Sequence, residues 1–258
     1  MLFRVKLNPM PDKVEITIIT KNSLRCHTAL EQLLNAFESI KGFIPTHWGL
    51  DERASNPYNR YELIASVSTL KSDFYLPSLQ RKQSHRYKAY FSAASEGLNY
   101  VNVEFGILKS KKDLSCVFAL GDAIAKNLEA EFGFVHPVWF DGSQEYCASG
   151  QITASELQNY GPTPVCARTW FGSHLVKLIG RENLLNSGAI IQDTSWSGIQ
   201  LDLVQHPWES DLETLSSQQL SVMKHLKHSG IFGDYTQVEY KPGVNWQPVL
   251  NETLLEKV

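Results

Sequence analysis

The segment Val14-Glu-Ile-Thr-Ile-Ile-Thr20 alternates apolar and polar residues and is rich in β-branched side chains. This pattern predicts a half-buried strand. A helical period begins soon afterwards, with apolar residues at Leu30, Leu33, Leu34 and Phe37. The switch from strand period to helix period places a strand beside an amphipathic helix, and it marks the start of an α+β fold.

Further strands and helices continue this order through the first half of the chain. Strands are predicted at 87–91, 100–105 and 134–140, with helices at 61–67 and, after Asp113 as cap, at 117–128. Residues 70–84 are mostly polar and contain Pro77, which indicates a connection between elements. The resulting order is typical of a split β-α-β arrangement, an antiparallel sheet with helices packed on one face.

The second half of the chain is more helical and carries a β-hairpin. Helices are predicted after Thr153, over 165–179 and after Asp211, and hairpin strands at 189–191 and 199–204. In the last strand, Ile199, Leu201 and Leu203 alternate with polar residues, which predicts one side that faces water. We therefore expect an α+β first half, residues 1–148, and a C-terminal α+β half, residues 149–258, packed as one continuous globular unit.

Composition and charge exclude several functional classes. The 258 residues are 43% hydrophobic and 20% charged, which excludes disorder and fibres. Lys and Arg number 24 against 27 Asp and Glu, so a net charge of -3 provides no whole-molecule basic field for nucleic acid or anionic lipid. No apolar run approaches the roughly 18 residues that span a bilayer, and no leader opens the chain. We expect a cytoplasmic protein that binds neither membranes nor nucleic acid directly.

Motifs for catalysis, cofactors and metals are missing from the sequence. It contains no G-x-S-x-G elbow, no phosphate-binding glycine loop and no C-x-x-C pair. His225 and His228 share one helical face but have no further ligand at a motif-like spacing. Adjacent acids such as Asp51 and Glu52 are more simply solvated loop residues than an acid and base pair. The sequence predicts no catalytic residues, no cofactor and no metal.

Tryptophans in predicted loops are the most unusual feature of the composition. A tryptophan ring buries a large area, which favours a core role for most of the six. Trp196 and Trp208, however, flank the predicted strand 199–204 and stand among acids. Aromatic anchors surrounded by acids are typical of a protein-binding face, because the rings supply burial and the acids steer a basic partner. The predicted face comprises Asp193, Trp196, Asp202, Trp208, Glu209 and Asp211, with Asp51 and Glu52 as a second patch.

One longer stretch resembles a known group of bacterial proteins. Tyr160-Gly-Pro162, Arg168-Thr-Trp-Phe-Gly172 and Leu178-Ile-Gly-Arg-Glu-Asn-Leu-Leu185 precede a strand that contains Leu201-Asp-Leu203. This pattern, over residues 150–230, resembles immunity proteins of polymorphic toxin and type VI secretion systems. The resemblance implies an α+β cytosolic protein, encoded beside a secreted toxin, often a nuclease, and bound tightly to it. These motifs are structural and do not specify the toxin.

The leading hypothesis is an immunity or inhibitor protein, not an enzyme. Such a protein neutralises its cognate toxin by occluding the active site or by locking the toxin's fold, which requires a preformed surface. One alternative is an enzyme whose site forms in a cleft between the two halves from His136, Asp141 and His174. Another is a structural subunit of a secretion or defence assembly. The sequence leaves open whether the protein forms a homodimer.

Overall fold

One antiparallel sheet takes up strands from both halves of the chain. The computed structural model describes residues 10–73, 75–140, 152–236 and 238–249, together with the backbone of 145–146. The strands are β1 (Lys13–Thr20), β2 (His47–Gly49), β3 (Asn56–Pro57), β4 (Ser78–Arg81), β5 (Tyr87–Phe91), β6 (Asn99–Phe105), β7 (Phe132–Phe140), β8 (Glu145–Tyr146), β9 (Arg168–Phe171), β10 (Ile190–Asp193) and β11 (Ile199–Asp202). The helices are α1 (His27–Ser39), α2 (Arg60–Ser68), α3 (Lys111–Leu128), α4 (Ala154–Tyr160), α5 (Ser173–Ile179), α6 (Arg181–Leu185) and α7 (Leu212–Leu226), with 3-10 turns at Pro207–Glu209 and Lys227–Ser229.

The first predicted strand forms β1 in the middle of this sheet. The strand order is β10-β11-β9-β7-β1-β6-β5-β4-β2-β3, and β8 pairs with the end of β7. Ile16 of β1 lies opposite Val103 on one side and Val135 on the other. Both faces of β1 are buried, where the sequence predicted only one. Thr17 tolerates this position because its hydroxyl donates to Oδ1 of Asn102 at 2.7 Å.

Helices of the first half cover one face of the sheet. Phe37 of α1 packs against Tyr87 of β5, with ring centroids 5.4 Å apart. Helix α3 crosses β7 at Gly121, where a Cβ atom would come within 2.7 Å of Val135. These contacts and the antiparallel pairing confirm the predicted α+β class. No helix within the described ranges is both long and apolar enough to cross a bilayer.

The second half adds a helix to the opposite face. His136 follows Val135 along β7 and therefore points away from α3. On that side it lines a small depression together with Leu215 and Gln219 of α7. The sheet is thus covered on both sides where the two halves meet.

Strands β4 and β9 and the start of α3 are among the elements that differ from the sequence-based expectation. Strand β4 lies inside the predicted connection 70–84, and β9 interrupts the predicted helix 165–179. Short apolar runs suit a strand as well as a helix, so neighbouring strands decide their conformation. Helix α3 begins earlier than predicted, because Ser110 rather than Asp113 is its cap and accepts from the Asp113 amide at 3.1 Å.

A buried arginine of β9 connects the second half of the chain to α3. Arg168 donates from Nε and Nη2 to the two carboxylate oxygens of Asp202 on β11, at 2.6 and 2.7 Å. Its Nη1 donates to the carboxylate of Asp122 on α3 at 2.9 and 2.7 Å. Burial lowers the pKa of Arg168, but the bonds and charges of Asp202 and Asp122 outweigh burial and raise it overall. The guanidinium therefore stays charged inside the protein.

Aromatic and amide side chains complete the surroundings of this guanidinium. The Cζ atom of Arg168 lies 5.4 Å from the ring centre of Phe118 and 5.7 Å from that of Trp208. Gln200 donates to Asp202 at 3.2 Å and accepts a hydrogen bond from the indole N–H of Trp170. The side of β11 that carries Gln200 and Asp202 is therefore covered, and the expectation that it faces water is wrong. Asp202 is only 2% exposed.

Replacing Arg168 with methionine tests whether this cluster holds the fold together. The variant leaves Asp202 buried without its cation, and we expect a loss of about 3–5 kcal/mol in the free energy of unfolding. Arg168→Lys should recover only part of this loss, because an ammonium group cannot reproduce the two-pronged contact. Urea denaturation of the purified variants measures both values.

Arg181 and Asp193 provide the matched control. They form the same two-pronged pair at 2.6 and 2.9 Å, but their side chains are 50% and 66% exposed. Solvent screens an exposed pair, so Arg181→Met should leave the unfolding midpoint almost unchanged. Equal losses in the two methionine variants would contradict a special role for the buried pair.

Candidate functional site

The predicted partner-binding face is divided between the two ends of β11. Asp193 and Trp196 lie at the turn between β10 and β11. Trp208 and Glu209 lie beyond the other end of β11, where Lys111 at the start of α3 donates to the carbonyl oxygen of Glu209. Strand β11 alone spans roughly 13 Å. These residues therefore do not form one compact cluster.

The second predicted patch lies at the far edge of the sheet. Asp51 and Glu52 belong to the turn that joins β2 to β3, and their carbonyl oxygens accept from Ser78 and Gln80 of β4. Seven strand spacings separate β2 from β11 in the sheet order. This amounts to on the order of 30 Å along the sheet. The two patches are separate surfaces.

Two exposed acids of the predicted faces are paired with arginines. Asp193 accepts two hydrogen bonds from Arg181, which lower the pKa of its carboxyl group. Asp51 accepts from Arg53 at 2.9 Å, and this contact likewise lowers the pKa of Asp51. Each arginine offsets the negative charge that was expected to steer a basic partner.

Two further acids of the predicted face form hydrogen bonds within the protein. Asp211 caps α7 by accepting from the Thr214 amide at 2.9 Å, and this bond lowers its pKa. Asp202 is enclosed beside Arg168 and cannot contact a partner in the folded protein. We therefore remove Asp202 from the predicted face. Glu52 and Glu209 remain exposed.

Both tryptophans of the predicted face are half-buried and contribute to packing. Trp196 donates from Nε1 to the carbonyl oxygen of Ala130 at 3.1 Å. Trp208 lies over Arg168 and packs edge-on against Phe118, with ring centroids 5.6 Å apart. Their sequence positions beside acids did not reveal these internal contacts. A partner-binding role for the residues of this face stays a prediction.

Of the alternative enzyme site, the two described residues, His136 and His174, lie apart. Phe132 lies opposite Phe171 at one end of the β7–β9 pair, and α5 with His174 begins just beyond that end. His136 lies four residues further along β7, roughly 13 Å away. Asp141 lies outside the described residues. Across the part of the chain that the structure describes, no three His, Cys, Asp or Glu side chains are grouped to hold a metal ion.

His136 is instead a buried neutral residue of the sheet. It is 2% exposed, and its Nε2 atom has no hydrogen-bond partner among the described residues. Burial, with a smaller effect from the positive charge of Lys13, lowers the pKa of His136 to about 3. Protonation would place an unpaired charge inside the protein.

A groove lies at one end of the strands β5 and β6, beside exposed charged residues. Its volume is about 780 Å³, and its walls are the turn between β4 and β5 and the loop between β6 and α3. His85 and Asp113 join these walls, with Nε2 of the histidine 2.9 Å from Oδ1 of the aspartate. Ile107 is 72% exposed at the groove, whereas Leu108 is buried.

Sequence reasoning missed this groove because its two walls are distant in the chain. The first wall belongs to the predicted connection 70–84 and its extension to Arg86, and the second begins at Gly106. One feature of the sequence could have indicated the groove. Basic residues are concentrated at 81–88 and at 109–112, at the outer ends of the strands predicted at 87–91 and 100–105. Antiparallel pairing of β5 with β6 brings the ends Tyr87 and Phe105 side by side.

The pH dependence of stability tests the assignment of His136. The pKa of His136 in the folded protein is below the ordinary value of 6.5, so between these two values the imidazole is protonated in the unfolded chain and neutral in the folded one. The free energy of unfolding should therefore fall as the pH drops from 6.5 towards 3, by up to about 1.4 kcal/mol per pH unit. His136→Gln should flatten this slope in urea titrations at a series of pH values.

His228, an exposed histidine, supplies the control for this measurement. His228→Gln should keep the wild-type slope, because the variant leaves the buried His136 in place. An unchanged slope in the His136→Gln variant would show that protonation of His136 does not limit acid stability. The comparison uses slopes, so a constant loss of stability in either variant does not affect it.

Comparisons with known proteins show similarity at the level of the fold. No family model matches the chain, and no curated protein matches it at a significant level. Among solved structures, the chain is similar to the Pseudomonas aeruginosa T6SS protein PA0821, with a TM-score of 0.58 and 14% sequence identity. The match covers 95% of this chain and 83% of that protein. The fold described here thus also occurs in a protein of a type VI secretion system.

Proposed function

We propose that this protein is an immunity protein that binds a cognate toxin effector in the cytoplasm and neutralises it. The observation that carries the proposal is the similarity of fold, over 95% of this chain, to a Pseudomonas aeruginosa T6SS protein. The resemblance of residues 150–230 to immunity proteins supports the same setting. Neutralisation here means occlusion of the toxin's active site, or locking of its fold, without chemistry by the protein itself.

The buried contacts within the sheet support inhibition by binding. Binding costs less free energy when the surface is already in its bound conformation, because fewer side chains and loops must be ordered. The central strands of the sheet are buried, and the side chain of Arg168 joins β9 to β11 and to α3 through hydrogen-bonded ion pairs. A stable complex typically buries about 800 Å² on each partner. Exposed residues at the ends of the sheet and on the outer sides of the helices supply the surface available for such an interface.

Co-expression with the toxin encoded by the adjacent gene tests this function. We expect the protein to restore growth of cells that produce this toxin and to co-purify with it as an equimolar complex. The growth assay should be repeated with an empty plasmid and with an unrelated toxin, which the protein should not neutralise. Absence of both protection and binding would contradict the proposal.

The dose required for protection separates inhibition by binding from enzymatic inactivation. An occluding inhibitor protects only in proportion to its amount, so toxin activity should reach zero at equimolar protein. An enzyme that modified the toxin would protect at far lower ratios and would leave a covalent change. Titration of purified toxin, followed by mass spectrometry of the toxin, distinguishes these outcomes. Complete protection at a small fraction of one equivalent would overturn inhibition by occlusion.

A further inference from the structure

The two chain segments that form the groove between the β4–β5 turn and the β6–α3 loop carry an excess of positive charge. Residues 81–88 and 104–113 contain seven arginine and lysine residues and only two acids, although the whole chain has a net charge of -3. The rest of the molecule is therefore distinctly acidic. Such an asymmetry produces a local field that attracts a negatively charged partner to this end of the sheet.

Four cations of these segments are available for binding, and two of them, Arg86 and Lys109, line the groove. Arg86, Lys88, Lys109 and Lys112 are exposed, and none of them forms an ion pair within the described ranges. Other arginines of the protein, such as Arg168, lie against carboxylates. A free cation can form a charge-assisted hydrogen bond with a partner without first breaking an internal one.

The two acids of this region do not cancel its charge. Asp113 accepts a hydrogen bond from His85, which lowers the pKa of Asp113 and keeps it negatively charged, so it offsets one of the seven cations. Glu104 stands opposite Lys88 in the β5–β6 pair and offsets one cation at most. Arg86 and Lys109 both line the groove and lie on opposite walls. A negatively charged segment in the groove would therefore meet positive charge on both sides.

The groove walls are held in place before any partner binds. His85 has a left-handed backbone with φ of 56°, and its ring packs against Phe43 with centroids 5.3 Å apart. Arg81 closes the same turn by donating to the carbonyl oxygens of Ser84 at 2.8 Å and Ile44 at 2.7 Å. A turn fixed in this way loses little conformational entropy on binding.

An apolar side chain in the groove favours a protein segment as its occupant. Ile107 is 72% exposed, and burial of such a side chain is favourable only against apolar groups. Single-stranded nucleic acid is bound by aromatic rings that stack on bases, together with cations. The residues that line the groove include no phenylalanine, tyrosine or tryptophan. An acidic protein segment that also carries an apolar side chain fits both features.

We propose that the groove receives an acidic segment of the toxin, with one apolar side chain of that segment packed on Ile107. The assignment rests on the proposed immunity function and identifies the surface that performs it. It reverses the polarity predicted from the sequence, in which acids of this protein were expected to steer a basic partner. The cations of the groove instead steer an acidic one.

Charge reversal at both walls tests the assignment. The variant Arg86→Glu with Lys109→Glu should raise the dissociation constant for the co-expressed toxin at least about tenfold. Its binding should also depend less on salt than that of the wild type, because screened attraction has been removed. Calorimetry at two salt concentrations measures both effects. Ile107→Ser should weaken binding without changing the salt dependence.

Matched variants show whether the effect belongs to the groove. Lys177→Glu with Lys224→Glu makes the same change in net charge at exposed positions outside the groove, and should bind like the wild type. Asp193→Lys with Glu209→Lys reverses acids of the face predicted from the sequence. If that variant alone loses binding, the partner uses the acidic residues and the groove assignment is overturned. The unfolding midpoint of each variant confirms that it is folded.

The outcomes separate this inference from the proposed function. If the wild type neither binds nor protects, the immunity function fails and the groove assignment fails with it. If the wild type binds and the Arg86→Glu/Lys109→Glu variant binds equally well, only the groove assignment fails. Titration with a single-stranded DNA oligonucleotide gives the third outcome. Binding of that oligonucleotide, lost in the same variant, would identify nucleic acid as the ligand and overturn the acidic protein segment.

Discussion

The buried, charged side chain of Arg168 has to be surrounded by carboxylates and hydrogen-bond acceptors from neighbouring elements. A guanidinium remains protonated in proteins, so it can be enclosed only where carboxylates and hydrogen-bond acceptors replace water. Asp202 and Asp122 supply these groups from β11 and α3. These contacts of Arg168 hold the C-terminal hairpin against the long helix of the first half. Trp208 covers the cluster and fixes the segment that follows β11.

Pairing of charges inside the chain also determines which parts of the surface remain available. Three of the acids that looked accessible in the sequence are engaged by arginines or by a helix terminus, namely Asp51, Asp193 and Asp211. Near His85, the side chains of Arg86, Lys88, Lys109 and Lys112 form no ion pair among the described residues. A chain with a small net negative charge thereby presents a positively charged groove. Net charge gives little information about a partner until the internal pairs are known.

Local patterns predicted the elements whose stability depends on nearby residues. The alternation at 14–20 became β1, and the capping box of Thr153 and Glu156 forms both of its hydrogen bonds at the start of α4. The hairpin of β10 and β11 also follows the predicted pattern. By contrast, β4 and β9 have four residues each. Strand β4 lies between its neighbour β5 and the more distant β2, and β9 lies between β7 and β11. No local period identifies such strands.

The sequence by itself determined the α+β class, the central strand, the long helices and the excess of acids over bases. Tertiary structure decided which charges are neutralised, since ion pairs such as Arg168 with Asp122 join residues far apart in the chain. It also decided where the groove lies, because pairing of β5 with β6 sets the two basic runs side by side. The physical reason is that these effects act over different distances along the chain. Periodicity and capping act within a few residues, whereas charge pairing and surface shape depend on contacts made only after the sheet has formed.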